Sequence, residues 1–179
     1  MGNTEQKTKE RLKNAAASGN MLLVRWHCRK ALPQSTLDAA LVEAVVKGHL
    51  DIVKYLHQKG ANLKFAGPTG TTLVMAAAAF GFLDILKYLH QNGVNIHAVN
   101  TKGQTAFIKA AAADRLEIVK YLHQNGVDIH ARDIYGNDAL LYAAKGGYIE
   151  VCDYLLSQGA DPNVKDRNGM NAFMHMANH

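Results

Sequence analysis

The sequence predicts an all-α solenoid of stacked helix–turn–helix units on a 33-residue period, with β-turns projecting between them. Three observations predict it. An apolar block recurs as His49-Leu-Asp-Ile-Val-Lys-Tyr-Leu56, Phe82-Leu-Asp-Ile-Leu-Lys-Tyr-Leu89, Arg115-Leu-Glu-Ile-Val-Lys-Tyr-Leu122 and Tyr148-Ile-Glu-Val-Cys-Asp-Tyr-Leu155, each 33 residues after the last. Two glycine registers keep the same step, Gly60, Gly93, Gly126, Gly159 and Gly70, Gly103, Gly136, Gly169. Between them lie alanine clusters, Ala76 to Ala79, Ala110 to Ala113, and Ala143 with Ala144. A fixed period of this length marks a repeat array, in which no unit buries its apolar face alone and stacking makes the core.

The units follow in order. Residues 1–10 are charged and read as a flexible basic N-terminus ahead of one domain spanning 11–179. Unit 11–35 holds a first helix pair over Asn14 to Lys30, with Leu23, Val24 and Trp26 in the slots of Ile52, Val53 and Tyr55. It lies 29 residues before the next (Gly19 to Gly48), so its link Ala31 to Ser35 is too short for a projecting turn. In unit 36–68, Leu50, Ile52, Val53 and Leu56 form a 3.6-period apolar face, and Gly60 sits where a left-handed helix end is wanted. Units 69–101, 102–134 and 135–167 repeat this, each opening on turn chemistry such as Asn100-Thr101-Lys102-Gly103 or Asp133-Ile134-Tyr135-Gly136. The partial unit 168–179 has a first helix only, which leaves Phe173, Met174 and Met176 partly uncovered. That edge either continues into a longer array or meets something else.

On these residues the chain resembles the ankyrin repeat family. Gly48-His-Leu-Asp-Ile-Val-Lys54 and Gly159-Ala-Asp161 are similar to that family's second-helix and closing motifs almost verbatim. Thr72-Leu-Val-Met75, Thr105-Ala-Phe-Ile108, Asp138-Ala-Leu-Leu141 and Asn171-Ala-Phe-Met174 lack the proline and histidine of the family's Thr-Pro-Leu-His start, which implies turns tied by fewer hydrogen bonds. The resemblance implies a non-enzymatic module whose turn tips and first helices line a concave groove gripping a partner protein.

Composition fits a globular chain, with 48% hydrophobic and 20% charged residues, which excludes disordered and collagen-like classes. Two cysteines exclude a disulfide scaffold and fit a reducing compartment such as the cytoplasm, which becomes a host's cytoplasm if the source is a virus or intracellular bacterium. The net charge of +5 sits entirely in residues 1–30, where seven basic side chains face Glu5 and Glu10. A balanced body argues against nucleic-acid or acidic-membrane contact along the array; attachment through the basic N-terminus is the alternative reading. Met1-Gly2 opens like an acylation signal, but Gln6 stands where Ser or Thr is needed. The uncharged run 65–83 begins with Gly67-Pro-Thr-Gly70, turn chemistry unsuited to lipid.

Chemistry-bearing residues have simpler readings. Cys152 occupies the slot of Val53 and Val119, so it reads as core, and Cys28 shares the slot of His57 without a ligand pattern around it. Asp51, Asp84 and Glu117 each stand three residues before a lysine and read as surface ion pairs. His57, His90 and His123 share one slot, and His97 and His130 another; a ladder on roughly 10 Å spacing does not converge on one ion. His175 and His179 have i, i+4 spacing without a zinc-protease glutamate. No catalytic residue, metal, cofactor or small-molecule substrate is expected, and the chain reads as a monomer.

Slots that differ between copies mark the binding surface. They place Phe80, Lys109, Tyr142 and Lys145 on the first helices, and Thr101, Lys102, Ile134, Tyr135 and Arg167 in the turns, with Gln104 and Asn137 just after the turn glycines. Aromatic side chains beside cations are common interface anchors.

Overall fold

The computed structural model describes residues 2–177. Among the described residues the helices are α1 (Gly2–Ala17), α2 (Met21–His27), α3 (Gln34–Lys47), α4 (Leu50–Gln58), α5 (Leu73–Phe80), α6 (Leu83–Gln91), α7 (Ala106–Ala111), α8 (Leu116–Gln124), α9 (Ala139–Gly146), α10 (Ile149–Ser157) and α11 (Ala172–Met176). Odd-numbered helices form an inner row in which each packs on the next, from α1 to α11. Even-numbered helices form an outer row, each from α4 to α10 packed on the inner helix before it, and α2 on α1. The core runs between the rows. Ile52, Ile85, Ile118 and Val151 fill one buried slot, and Leu56, Leu89, Leu122 and Leu155 another.

The missing Thr-Pro-Leu-His starts are offset by caps. Thr72, Thr105, Asp138 and Asn171 each accept a bond from the backbone N–H three residues on, at 3.3, 3.2, 2.9 and 3.0 Å. Each satisfies a helix-end donor that would otherwise be orphaned. The loop from first to second helix turns through a left-handed residue, Gly19, Gly48, Gly81 and Gly147 in four units. Between α7 and α8 Asp114 takes that slot at φ 58°, a conformation a side chain adopts at a cost of about 1 kcal/mol.

Two expectations are corrected. Helix α1 begins at Gly2, so residues expected as a flexible tail continue the first inner helix, and Leu12, Ala15 and Ala16 on it are buried. Met1 lies outside the described residues. Lys54 and Lys87 do not pair with Asp51 and Asp84; their ammonium groups lie 5.9 and 5.7 Å from the ring centres of Tyr88 and Tyr121 in the next unit. Lys120 does pair with Glu117, at 2.8 Å. An aromatic face across the unit boundary competes with a solvated carboxylate on the same helix, and both interactions are individually weak.

The link before α3 has no projecting turn, because α3 starts at Gln34 and its first turns fill that space. Buried Asp38 on α3 accepts from the Asn62 N–H and from Gln34 Nε2, both at 2.8 Å, which ties α3 to the loop after α4. At the far end Phe173 and Met174 are about half exposed, 55% and 50%, in slots that Leu140 and Leu141 bury.

Candidate functional site

The projecting turns are built alike and fold back onto the inner row. Asn100, Asp133 and Asp166 are buried, and the Oδ1 of each accepts from the backbone N–H groups two and four residues on. Adjacent tips are joined: Thr101 N–H donates to Thr69 O and Ile134 N–H to Lys102 O, both at 3.0 Å. Arg167 donates to Ile134 O at 3.4 Å and stacks 4.4 Å from the centre of the Tyr135 ring.

The second carboxylate oxygen then holds groove side chains. Tyr142 OH donates to Asp133 Oδ2 at 2.6 Å and receives a long bond from Gln104 Nε2 at 3.5 Å. One unit on, Asp166 Oδ2 lies 2.9 Å from both Lys145 Nζ and His175 Nε2. The Lys145 ammonium first, then His175 and the N–H groups of Met170 and Asn168, hold the Asp166 carboxyl below the usual carboxylate range against the opposing effect of burial. Lys145 also reaches Asn137 Oδ1 at 3.5 Å.

Of the sequence-predicted site residues, Phe80, Thr101, Lys102, Ile134, Tyr135 and Arg167 are exposed, whereas Gln104, Lys109, Tyr142 and Lys145 are half-buried. Asn137 is buried at 7% exposure, so it supports Lys145 and presents little surface of its own. Phe80 stacks on Phe82 with ring centres 6.5 Å apart and is half exposed. The residues missed in sequence are Asn100, Asp133 and Asp166, which organise the site from beneath. Their signal was available, an Asn or Asp three residues before Gly103, Gly136 and Gly169.

The histidine ladder has a packing role. His57, His90 and His123 meet the hydroxyls of Tyr88, Tyr121 and Tyr154 in the next unit at 2.7, 2.8 and 2.9 Å through Nδ1. Among the described residues no group of three His, Cys, Asp or Glu could hold a metal ion. His179 of the His175/His179 pair lies outside the described residues. Cys28 and Cys152 are buried, and burial pushes the Cys152 thiol up to about 11, which leaves little thiolate at neutral pH. Lys13 in the basic first helix lies 3.6 Å from Glu10 and 3.9 Å from Glu43, so part of that charge is met within the fold. No helix among the described residues is long and apolar enough to cross a membrane. A depression of about 760 Å³ is an open trough between α2 and α4, and similar troughs recur beside Gly48 and Gly81. It follows from the stacking of outer helices rather than from a cluster of convergent polar groups.

Stacked helix pairs with hydrogen-bonded turn tips define a repeat-array protein with a preformed side. The family model for ankyrin repeats matches residues 12–100 and 73–166, and the chain belongs to the ankyrin repeat family. Ankyrin repeats are in general protein–protein interaction modules, and the family is typically non-enzymatic. Comparison with curated proteins finds no match.

Proposed function

We propose that this chain is a non-enzymatic module that holds a partner protein against the concave side formed by its turn tips and inner helices. The observation that carries the reading is pre-positioning. Tyr142, Lys145 and Arg167 are each fixed by bonds from the turns, while Phe80 at the end of α5 and Ile134 in a turn stay 50% and 58% exposed. Side chains ordered before binding lose little entropy on binding, and exposed aromatic and aliphatic groups supply the apolar anchors. A monomer in the cytoplasm suits this role, with no small-molecule substrate, and with nucleic acid or membrane only as the alternative through the basic first helix.

The test is affinity capture from a cell lysate with bound proteins identified by mass spectrometry, wild type beside Phe80→Ala/Ile134→Ser. Neither side chain is buried, so circular dichroism should show both proteins equally helical. A protein retained by wild type and lost by the variant supports the groove. Equal retention by both moves the binding surface elsewhere, with the first helix next to be tested.

A further inference from the structure

The turns are not equivalent in charge, and the difference falls in the middle of the proposed groove. Asp133 and Asp166 each use Oδ1 to close their own turn and offer Oδ2 to a groove donor, Tyr142 in one case and His175 with Lys145 in the other. The equivalent residue one unit earlier is Asn100. Its Oδ1 closes the turn in the same way, accepting from Lys102 N–H at 2.9 Å and Gln104 N–H at 3.0 Å. Its other atom is Nδ2, a donor, turned 3.4 Å from Gln104 Oε1. The acceptor that the two following turns supply is therefore absent at Asn100, as it is at Gly67 in the turn before, where the groove slot holds Ala76 and no donor needs it.

The groove donor is nonetheless present. Lys109 occupies the slot of Tyr142 and His175, nine residues after Asn100 as they are after Asp133 and Asp166. Its ammonium is half-buried, and burial first, then the nearby charge of Lys102, hold its pKa below that of an ordinary lysine. Among the described residues no carboxylate forms an ion pair with Lys102 or Lys109. Lys109, partly desolvated in the slot that faces the turn, and Lys102, two residues after Asn100, lack the carboxylate that Asp133 and Asp166 supply in the two following units.

We propose that Lys102 and Lys109 form a subsite for a carboxylate side chain, an Asp or Glu presented by a bound peptide segment that takes the place of the acid missing at Asn100. This rests on the groove reading above and specifies the chemistry of its partner. A partner carboxylate would relieve the repulsion between the two lysines and form charge-assisted bonds in a partly dehydrated site, where they are stronger than at an open surface. It would also fix the register of the bound segment, because the following units hold their own acids, Asp133 and Asp166, and the preceding unit has Ala76 in place of a groove cation.

The test selects binders from a phage-displayed library of random peptides on three baits: wild type, Lys102→Ala/Lys109→Ala, and Phe80→Ala/Ile134→Ser. The expected result is a wild-type consensus with Asp or Glu at one fixed position. Replacing that acid by its amide, or both lysines by alanine, should weaken binding by roughly tenfold or more. The two losses should not add, which identifies one shared contact. A consensus without an acid, an acid whose loss costs the same on the double-lysine bait, or no selected peptide overturns the subsite. Acid-dependent peptides indifferent to Phe80 and Ile134 would support the subsite while counting against the wider groove, so the two readings fail separately.

Discussion

At the scale of single residues, one carboxylate serves two purposes, and titration separates them. Asp166 closes its turn through Oδ1 and neutralises Lys145 beside His175 through Oδ2. Its folded pKa lies below the unfolded value of about 3.9, so its stabilising contribution is complete above that value and is lost as pH falls below it toward the folded pKa. Asp138 has the opposite sign: burial first raises its pKa despite the bond from the Leu141 N–H, so acidification relieves a cost there. Asp166→Asn keeps the turn acceptor, as Asn100 shows an amide can, and replaces the charged Oδ2 acceptor that meets Lys145 and His175 by an amide donor. Urea midpoints measured from pH 7 to pH 3 should show the variant less stable at neutrality, with the gap to wild type closing as pH drops below about 4. A gap constant with pH would mean that the carboxylate charge contributes nothing.

At the scale of elements, neighbouring outer helices are joined by more than apolar burial. Each His–Tyr contact pairs a half-buried imidazole on one outer helix with a hydroxyl on the next, with rings edge-on at 5.9 to 6.0 Å. Tyr121→Phe keeps the ring over which Lys87 lies and removes only the bond to His90. The expected cost is about 1 kcal/mol, read as a lower denaturation midpoint with an unchanged slope. A midpoint identical to wild type would show that water replaces the hydroxyl without penalty. The helices themselves were legible in sequence because their apolar slots recur with the period that packing demands. The ladder was not, because equal slots in one strip of sequence say nothing about which nitrogen faces which hydroxyl. For the same reason Lys54 and Lys87 looked like partners of Asp51 and Asp84, when the competing tyrosine belongs to the following unit. The site shows the same division: Phe80 and Ile134 stood out as slots that differ between copies, whereas the roles of Asn100, Asp133 and Asp166 needed the fold-back of turns onto helices. Asn137 looked variable and therefore free, yet it is buried beneath Lys145.

At the scale of the whole molecule, burial in a repeat array is set by neighbours, so identical slots carry unequal weight. Phe107 and Phe173 occupy the same slot two units apart, and inner helices flank α7 on both sides. Phe107 is fully buried, whereas Phe173 on the five-residue α11 is 55% exposed. Removing a buried phenylalanine loses its transfer energy and leaves a cavity, about 3–5 kcal/mol. Removing a half-exposed one from a helix that can adjust costs less than about 1 kcal/mol. Phe107→Ala should therefore lower the denaturation midpoint steeply and Phe173→Ala hardly at all, in the same 179-residue chain. Hydrogen exchange should rank the helices in the same order, with amides of α7 and α9 opening only with the whole array and those of α11 opening locally. Equal costs for the two substitutions would mean that something covers α11 in solution, and the concentration dependence of the Phe173→Ala midpoint would then show whether the cover is a second copy of the chain.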